Sequence, residues 1–310
     1  MIVLVTGGSG LVGSALKSLQ PDWLYISSKD CDLNDFNRVH ELFKNINPDI
    51  IIHLAANVGG LFKNSEKRLE MFNTNIMINY NVLENAYRLQ IKRVICCLST
   101  CIFPDGLNRI LTENDLHLGE PHNSNYGYAY AKRIMEVQCR LYNETPGYYY
   151  QCIIPTNIYG PHDNFNLHDS HVIPGLIHKA FLHSTNSANN PFVILGTGLP
   201  KRQFIYSFDL ANIIIQLISK NINEPLLICS TPETSEITIL EVAKMICKLF
   251  EIHNVIPSEI SNSNHDGQQI KTACPAKLFN IMSNLEMTPL EKGIKETVEW
   301  FKINYPNIRK

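Results

Sequence analysis

A glycine-rich turn at residues 7–13 is the feature that most limits how this chain can fold. The apolar run Ile2–Val5 predicts a short buried strand, and Thr6-Gly7-Gly8-Ser9-Gly10-Leu11-Val12-Gly13 follows it directly. A helix is predicted from Leu11 to about Leu19, ahead of Pro21. In a strand, glycine turn and helix unit, the free amides of the helix N-terminus bind anions, and the glycines let a pyrophosphate approach closely. The turn therefore predicts a dinucleotide site, although a plain tight turn has the same local pattern.

The rest of the first half alternates apolar runs with amphipathic segments. Further strands are predicted at residues 23–26, 50–54, 94–98 and 149–154, and helices at 34–44, 69–89 and around Tyr128. A glycine-containing loop is predicted at residues 57–64. Strands that alternate with helices favour the α/β class, with a doubly wound parallel sheet.

After Gly160-Pro161 the character of the chain changes. The segments predicted there are a loop at 161–170, a helix at 173–182, a Ser/Asn-rich loop at 184–190, and strands at 192–195 and 204–206. The helix that contains Asp209 is expected to pack back on the main sheet. We therefore predict a dinucleotide-binding domain at 1–160 with a return segment at 204–220. A smaller α/β substrate domain is predicted from residues 161–203 and 221–310.

Composition excludes several classes of partner. The 310 residues carry a net charge of −2, so no electrostatic footprint for nucleic acid is present. No apolar run approaches the ~20 residues of a membrane-spanning helix, and Met1 leads straight into a strand rather than a secretory leader. The nine cysteines lack metal-ligand spacing, so they predict buried thiols in a reducing compartment and no metal site. A cytoplasmic enzyme for a small molecule is the expectation.

The residues after the second and third predicted strands bear on the choice of cofactor. Ser28 and Lys29 place a small hydroxyl and a base where NAD-binding chains carry an acid, and this favours a 2′-phosphate and hence NADP(H). Asp32 is placed to contact the adenine edge. Ala55 and Ala56 are small enough for the backbone to pass close to the cofactor. Lys29 is equally compatible with a solvated surface lysine.

Tyr128 and Lys132 are four residues apart, so on a helix they lie on one face. A nearby ammonium lowers the pKa of a phenol, and such a pair suits proton transfer to a carbonyl oxygen. Tyr-x-x-x-Lys is a weak pattern alone, because a tyrosine-rich helix surface produces it too. Ser99 and Cys101 follow one predicted strand and Pro155-Thr156-Asn157 follow another, so all five belong to the edge that carries the glycine turn.

Several further stretches, taken with these patterns, make the chain resemble a known protein family. They are Val58-Gly59-Gly60 and residues 99–105, 155–166, 171–176, 202–206 and 266–268. With the glycine turn and the Tyr-Lys pair, the chain resembles the extended short-chain dehydrogenase/reductase family over nearly its whole length. The resemblance implies a Rossmann fold and an NADPH-dependent enzyme that inverts C3 and C5 of GDP-4-keto-6-deoxy-D-mannose and reduces C4. Some members have an arginine in the glycine turn where this chain has Ser9.

The same resemblance implies roles for individual residues. Cys101 is the base and His171 the acid of the inversions, while Ser99 and Tyr128 hold the C4 oxygen and Lys132 binds ribose hydroxyls. The implied cofactor contacts are Gly7, Gly8, Ser9, Gly10, Leu11, Val12, Gly13, Ser28, Lys29, Asp32, Ala55, Ala56, Lys132, Pro155, Thr156, Asn157, Ile158 and His171. The implied substrate contacts are Ser99, Cys101, Asn157, Lys179, Leu195, Arg202 and Asp266.

Two alternatives remain at this point. A nucleotide-sugar 4-epimerase or 4,6-dehydratase of the same superfamily would hold NAD tightly and regenerate it. A catalytically inactive NADP-binding redox sensor would keep the fold, but such proteins usually lack the Tyr or the Lys that this chain has. The helices at 69–89 and after Tyr128 are expected to form a homodimer interface, as in the family.

Replacing Lys29 with alanine should raise the dissociation constant of NADPH about tenfold, the scale of one charge-assisted hydrogen bond. The dissociation constant of NADH should stay nearly constant, because NADH has no 2′-phosphate. Fluorescence titration with both nucleotides measures this, with Lys44→Ala as a control. Equal changes for both nucleotides would contradict a 2′-phosphate contact.

Overall fold

Six parallel strands form the main sheet of the computed structural model, which describes residues 1–107, 109–186, 190–231, 236–258 and 270–310. These strands are β1 (Val3–Thr6), β2 (Leu24–Ile26), β3 (Ile50–His53), β4 (Arg93–Cys97), β5 (Tyr149–Pro155) and β9 (Leu226–Ile228). Their order across the sheet is β2-β1-β3-β4-β5-β9. The remaining strands are β6 (Asn157–Tyr159), β7 (Phe192–Ile194), β8 (Lys201–Tyr206), β10 (Glu236–Thr238), β11 (Val255–Pro257) and β12 (Ile270–Lys271).

The described residues form ten α-helices, some of which cover both faces of this sheet. They are α1 (Leu11–Leu19), α2 (Phe36–Ile46), α3 (Leu61–Glu66), α4 (Arg68–Arg88), α5 (Tyr126–Tyr142), α6 (Val172–Asn186), α7 (Ser207–Leu217), α8 (Ile239–Lys248), α9 (Ala276–Ile281) and α10 (Leu290–Asn304). Neighbouring residues of a strand point to opposite faces. Leu4 and Ile51 pack with the apolar residues of α2 and α4, whereas Val5 and Ile52 pack with those of α1 and α7. The predicted doubly wound α/β sheet is therefore confirmed, including the return of the Asp209 helix.

Three local predictions need correction. Residues 61–66 form the short helix α3 inside the predicted loop, and α6 continues to Asn186, into the segment predicted as a Ser/Asn-rich loop. The strand β9 lies in the main sheet although the predicted boundary at 221 assigned it to the substrate domain. Its three residues are apolar and fully buried, and they complete the edge of the sheet beside β5. The division of the chain into two domains otherwise stays a prediction.

The later part of the chain builds a second apolar cluster beside the main sheet. Strand β8 lies between β10 and β12 and also pairs with β6, while β11 pairs with β7. Tyr159, Phe204 and Phe301 are buried in the cluster, together with residues of α6, α8 and α10. Because β6 begins two residues after β5 ends, this second unit is joined to the carboxyl edge of the main sheet.

Gly127 sets the distance between α4 and α5. A Cβ atom on Gly127 would lie 2.2 Å from the carbonyl oxygen of Arg68, far inside van der Waals contact. The neighbouring residue is Tyr128, so the backbone that carries this tyrosine is held by the close approach of the two helices.

Gly127→Ala should lower the free energy of unfolding by about 1–3 kcal/mol, because α5 must move away from α4. At an unobstructed helix position the same change stabilises by up to about 1 kcal/mol. Urea unfolding of both proteins measures the difference. A gain in stability would contradict the packing described here.

Candidate active site

A cleft of about 680 Å³ opens at the carboxyl edge of the main sheet. This volume lies in the range of about 300–1,000 Å³ that is typical of ligand pockets. The predicted site residues that line it are Gly7, Ser9, Gly10, Leu11, Val12, Gly13, Ser28, Asp32, Ala55, Ala56, Ser99, Tyr128, Lys132, Pro155, Thr156, Asn157, Ile158 and His171. Segments far apart in the sequence therefore meet here, because all of them follow the carboxyl ends of strands or pack against those ends.

The glycine turn is shaped by close backbone contacts. Gly7 has a φ of +72°, and a Cβ atom there would lie 2.8 Å from the amide nitrogen of Ala55. A Cβ atom on Gly13 would lie 2.5 Å from the carbonyl oxygen of Gly7. Gly10 precedes α1 and offers no side-chain cap. The amides at the start of α1 consequently face the cleft as an anion site.

A buried hydrogen-bond network supports the turn from below. Thr6 Oγ1 lies 2.8 Å from His53 Nδ1, and His53 Nε2 lies 3.2 Å from Asn79 Oδ1. Thr6 Oγ1 also accepts a bond from the amide of Ala55 at 3.3 Å. Burial lowers the pKa of His53 to about 3, and the positive charge of Lys132 acts in the same direction. His53 is therefore a neutral structural residue at physiological pH.

The end of β2 presents polar groups at one end of the cleft. Ser27 is fixed by Asp30, whose carboxylate accepts bonds of 2.7 Å from the amide and the hydroxyl of Ser27. Ser28 and Asp32 line the cleft, and Lys29 is exposed between them. The role of Lys29 as a 2′-phosphate ligand stays a prediction.

Tyr128 and Lys132 face the cleft from α5, but their electrostatics differ from the expectation. Lys132 Nζ is buried and donates a 2.8 Å hydrogen bond to the carbonyl of Cys97, at the end of β4. It lies 5.8 Å from the centre of the Tyr128 ring. Burial raises the pKa of Tyr128 well above its usual value, and the neighbouring Cys101 and Cys97 raise it further.

The predicted lowering of the tyrosine pKa by Lys132 is therefore wrong. The cost of burying a phenolate exceeds the attraction of an ammonium that is bonded elsewhere. Tyr128 is consequently protonated at neutral pH, which is the form that a proton donor needs.

Ser99 and Cys101 lie in a 3₁₀ turn that follows β4. The side chain of Ser99 accepts a 3.4 Å hydrogen bond from the amide of Cys101 and so caps this turn. The thiol of Cys101 is partly buried, and it is near enough to affect the pKa of Tyr128. Of the nine cysteines, all unpaired, seven are buried, and only Cys101 and Cys274 are partly open.

His171 precedes α6 and lines the cleft. Its loop is held against the main domain at Gly60, whose amide donates a 2.9 Å bond to the carbonyl of Asp169. A Cβ atom on Gly60 would lie 2.4 Å from the carbonyl oxygen of Ser170, so no larger residue fits. The ring is open to the cleft but surrounded by protein. Burial lowers the pKa of His171, as do the charges of Lys271 and Arg309.

Lys271 lies near two of the predicted site residues, although the sequence patterns did not predict it there. It lies on β12 opposite Arg202 of β8, and electrostatic interactions link it to both Cys101 and His171. Burial lowers the pKa of Lys271 to about 8, with Cys101 opposing and Arg202 adding to the effect. Its only sequence signal is its position shortly after Asp266-Gly267-Gln268, and the pairing of β12 with β8 cannot be read from that spacing.

The predicted substrate residues differ in their position relative to the cleft and in their hydrogen-bond partners. Asn157 lines the cleft and donates a 3.0 Å hydrogen bond to the carbonyl of Gln203, which joins β6 to β8. Leu195 is exposed, and Arg202 donates to the carbonyl of Lys201 at 2.8 Å. Lys179 donates to the carbonyl of Val193, so its ammonium already has a protein partner. Asp266 lies outside the described residues.

The cleft fits a dinucleotide on its own structural features. The glycine turn forms a cradle that side chains at Gly7 or Gly13 would fill. Two lining residues have buried oxygen atoms without a hydrogen-bond partner in the described part of the chain, namely Thr156 Oγ1 and Asp163 Oδ2. Buried polar atoms of this kind call for a partner, so a ligand that supplies donors and acceptors suits this wall. Within the same described ranges no group of His, Cys, Asp or Glu is arranged to hold a metal ion.

The doubly wound sheet, the glycine turn and the Tyr-Lys pair define a Rossmann-type enzyme. Residues 3–229 match the NAD dependent epimerase/dehydratase family, and the chain belongs to it. It is 44% identical over 315 residues to the GDP-L-fucose synthase of Dictyostelium discoideum, with 99% of this chain and 97% of the relative covered. It also resembles the crystal structure of a GDP-L-fucose synthetase from Naegleria fowleri bound to NADP. The two are 40% identical with a TM-score of 0.91, over 100% of this chain and 95% of the other.

The buried histidine under the turn predicts a pH dependence of stability. The pKa of His53 is about 3 in the folded chain and 6.5 in its unperturbed state. Between these values the unfolded chain binds the extra proton, so stability falls as the pH drops below about 6. This one group contributes a slope of about 1.4 kcal/mol per pH unit.

The variant His53→Gln, which keeps polar groups at this position, should show a smaller decline of unfolding free energy between pH 6 and pH 4. Urea unfolding at several pH values measures it, and His253→Gln changes an exposed histidine as the control. Identical slopes for wild type and His53→Gln would contradict a neutral buried His53.

Proposed function

We propose that this chain is an NADPH-dependent GDP-L-fucose synthase. It inverts C3 and C5 of GDP-4-keto-6-deoxy-D-mannose and then reduces C4, which yields GDP-L-fucose. The observation that carries the proposal is the meeting of Ser99, Tyr128 and His171 in one cleft with the glycine turn, beside the turn that bears Cys101. The names of the similar proteins support the substrate, and the NADP in the Naegleria fowleri structure supports the cofactor.

NADP(H) would be held by the glycine turn, by Ser28 with Lys29 at the end of β2, and by Lys132. When bound, it supplies the hydride that adds to C4. The N-terminal amides of α1 would bind its pyrophosphate. Ala55 and Ala56 leave room for the nucleotide because the backbone here packs closely against Gly7.

The inversions need a ketone and groups on both faces of the sugar. The protons on C3 and C5 are acidic because the electron pair left behind moves onto the C4 oxygen as an enolate. The Cys101 thiolate removes a proton and becomes a thiol, and protonated His171 donates a proton from the opposite face. Proton exchange with water returns both groups to their starting forms before the second inversion. Thiols and imidazoles ordinarily titrate within about two pH units of neutrality, which suits both directions of transfer. The lowered pKa of His171 makes its protonated form a stronger acid.

Ser99 and Tyr128 act on the C4 oxygen in both half-reactions. During each inversion they donate hydrogen bonds to the developing enolate oxygen. During reduction Tyr128 gives its proton to that oxygen as the hydride adds to carbon. The raised pKa of Tyr128 keeps the proton on the phenol until negative charge develops. Lys132 holds the ribose hydroxyls and positions α5 through its bond to the Cys97 carbonyl.

Lys271 and Arg202 are paired across β12 and β8, and Lys271 interacts electrostatically with Cys101. A GDP-sugar carries a diphosphate, so these cations and Asp266 are the proposed contacts for the nucleotide part of the substrate. Leu195 and Lys179 belong to the same wall in this proposal. Arginine is suited to a diphosphate because its planar fork donates two parallel hydrogen bonds.

We also propose that the enzyme is a cytoplasmic homodimer. Helices α4 and α5 pack together and expose apolar side chains, among them Met77, Tyr80, Ile134, Val137 and Leu141. Exposed apolar patches of this kind mark association surfaces. No helix among the described residues is both long and apolar enough to cross a bilayer.

A matched pair of variants tests the mechanism. Wild type incubated with GDP-4-keto-6-deoxy-D-mannose should consume NADPH, measured at 340 nm, and should exchange the C3 and C5 protons in D₂O, measured by NMR. Cys101→Ser should lose the exchange but keep the dissociation constant of NADPH. Tyr128→Phe should slow reduction by at least about 100-fold, the scale of general-acid catalysis, and should slow exchange without abolishing it, because Ser99 still donates a hydrogen bond to the enolate oxygen.

The control is Cys229→Ser, which changes a buried cysteine of the main apolar core. It should retain both exchange and reduction. Normal exchange by Cys101→Ser would remove Cys101 as the base. A wild-type enzyme that carries bound NAD and consumes no NADPH would favour a 4-epimerase or 4,6-dehydratase instead.

A further inference from the structure

The C-terminal end of the chain lies against the cofactor turn at the beginning of the chain. Arg309 and Lys310 both line the cleft, although they follow the last helix, α10. Arg309 Nη1 lies 3.8 Å from the point where a Cβ atom on Gly10 would stand. The guanidinium therefore lies beside the N-terminus of α1, over the same turn that presents its amides to an anion.

The tail is held in this position by its backbone and its neighbours. The carbonyl of Arg309 accepts a 2.9 Å hydrogen bond from the amide of Phe165. Ile308 packs against the second apolar cluster, and Lys310 Nζ lies 4.9 Å from the centre of the Tyr305 ring. These contacts do not use the side chain of Arg309. The guanidinium can thus be changed without removing what holds the tail.

The guanidinium of Arg309 forms no ion pair within the described part of the chain. No carboxylate of those residues lies within ion-pair distance of it, and its guanidinium makes no hydrogen bond to them. The nearby Asp163 is buried, and burial raises the pKa of its carboxyl to about 7 against the opposing effect of Arg309. With a pKa of about 7, this carboxyl is only partly ionised near neutral pH and neutralises the guanidinium incompletely. Arg309 therefore adds positive potential to the glycine turn.

We propose that Arg309 binds the pyrophosphate of the dinucleotide and supplies the cation that the glycine turn lacks. Residues 7–13 contain no basic side chain, and the partial charge of a helix N-terminus is only about half an elementary charge. A guanidinium has five donors in a planar fork, which fits phosphate oxygens. Its position beside Gly10, rather than at Ser28 and the end of β2, selects the pyrophosphate over the 2′-phosphate.

This inference rests on the proposed binding of NADP(H), and it also gives the C-terminus a binding role. The two ends of the chain would close on the same phosphate groups. Loss of the last two residues would then weaken nucleotide binding while the apolar core stays intact.

The test compares Arg309→Gln with wild type by fluorescence titration of the full-length protein with NADPH and with NADH. Both nucleotides contain the pyrophosphate, so Arg309→Gln should raise both dissociation constants by the same factor. That factor should be about 10- to 100-fold, the range for a hydrogen bond to a charged group. The dependence of binding on salt should weaken as well, because one charge contact is lost. Arg309→Lys should fall between the two proteins.

Lys295→Gln is the charge-matched control, since it removes one positive charge from the exposed face of α10. It should leave both dissociation constants unchanged, and the melting temperature of nucleotide-free Arg309→Gln should equal that of wild type. Unchanged binding in Arg309→Gln would overturn the inference, and so would a loss for NADPH alone, which would place Arg309 at the 2′-phosphate. If wild type bound neither nucleotide, the proposed function would fail. If wild type bound both nucleotides and Arg309→Gln bound them equally well, this inference alone would fail.

Discussion

One buried hydrogen bond, from Lys132 Nζ to the carbonyl of Cys97, sets the geometry on which the site depends. It ties α5 to the end of β4, the strand that leads into Ser99 and Cys101. A buried ammonium without such a partner is costly, because desolvation disfavours its charged form. The same charge helps keep His53 neutral under the glycine turn. The position of one ammonium thus links the tyrosine, the cysteine turn and the support of the cofactor turn.

Close backbone approaches set the remaining distances. At Gly7 and Gly13 they allow the turn to lie against β3 and α1, and at Gly127 they bring α5 onto α4. At Gly60 a close approach likewise joins the loop after β3 to the loop that carries His171. The contacts at Gly7, Gly60 and Gly127 join segments that are distant in the sequence, whereas the contact at Gly13 closes the turn on itself. The opposing acid and base of the proposed mechanism are therefore placed by packing between loops rather than by either loop alone.

Much of this architecture could be predicted from local patterns. The strand, glycine turn and helix at residues 2–19 specify their own conformation, since the apolar period and the glycines act over a few residues. Alternating strands and helices similarly indicate a doubly wound sheet, and strand ends then bring Ser99, Thr156 and Asn157 to one edge. The strand β9 escaped prediction because three apolar residues carry too little periodicity to assign them to a sheet. Lys271 and Arg309 escaped because nothing in their own neighbourhoods indicates which distant residues they approach.

The electrostatic properties of the site show most clearly what the sequence determines and what the tertiary structure determines. The sequence alone determined three things, because each depends on neighbours along the chain. They are the spacing of Tyr128 and Lys132 on one helix face, the absence of a base from residues 7–13, and the class of fold. Only the tertiary structure decided that burial raises the pKa of Tyr128, that Lys132 is bonded to the Cys97 carbonyl, and that Arg309 lies beside Gly10. Desolvation and charge pairing depend on every group that surrounds a side chain in three dimensions. Local sequence patterns do not reveal which distant residues those groups belong to.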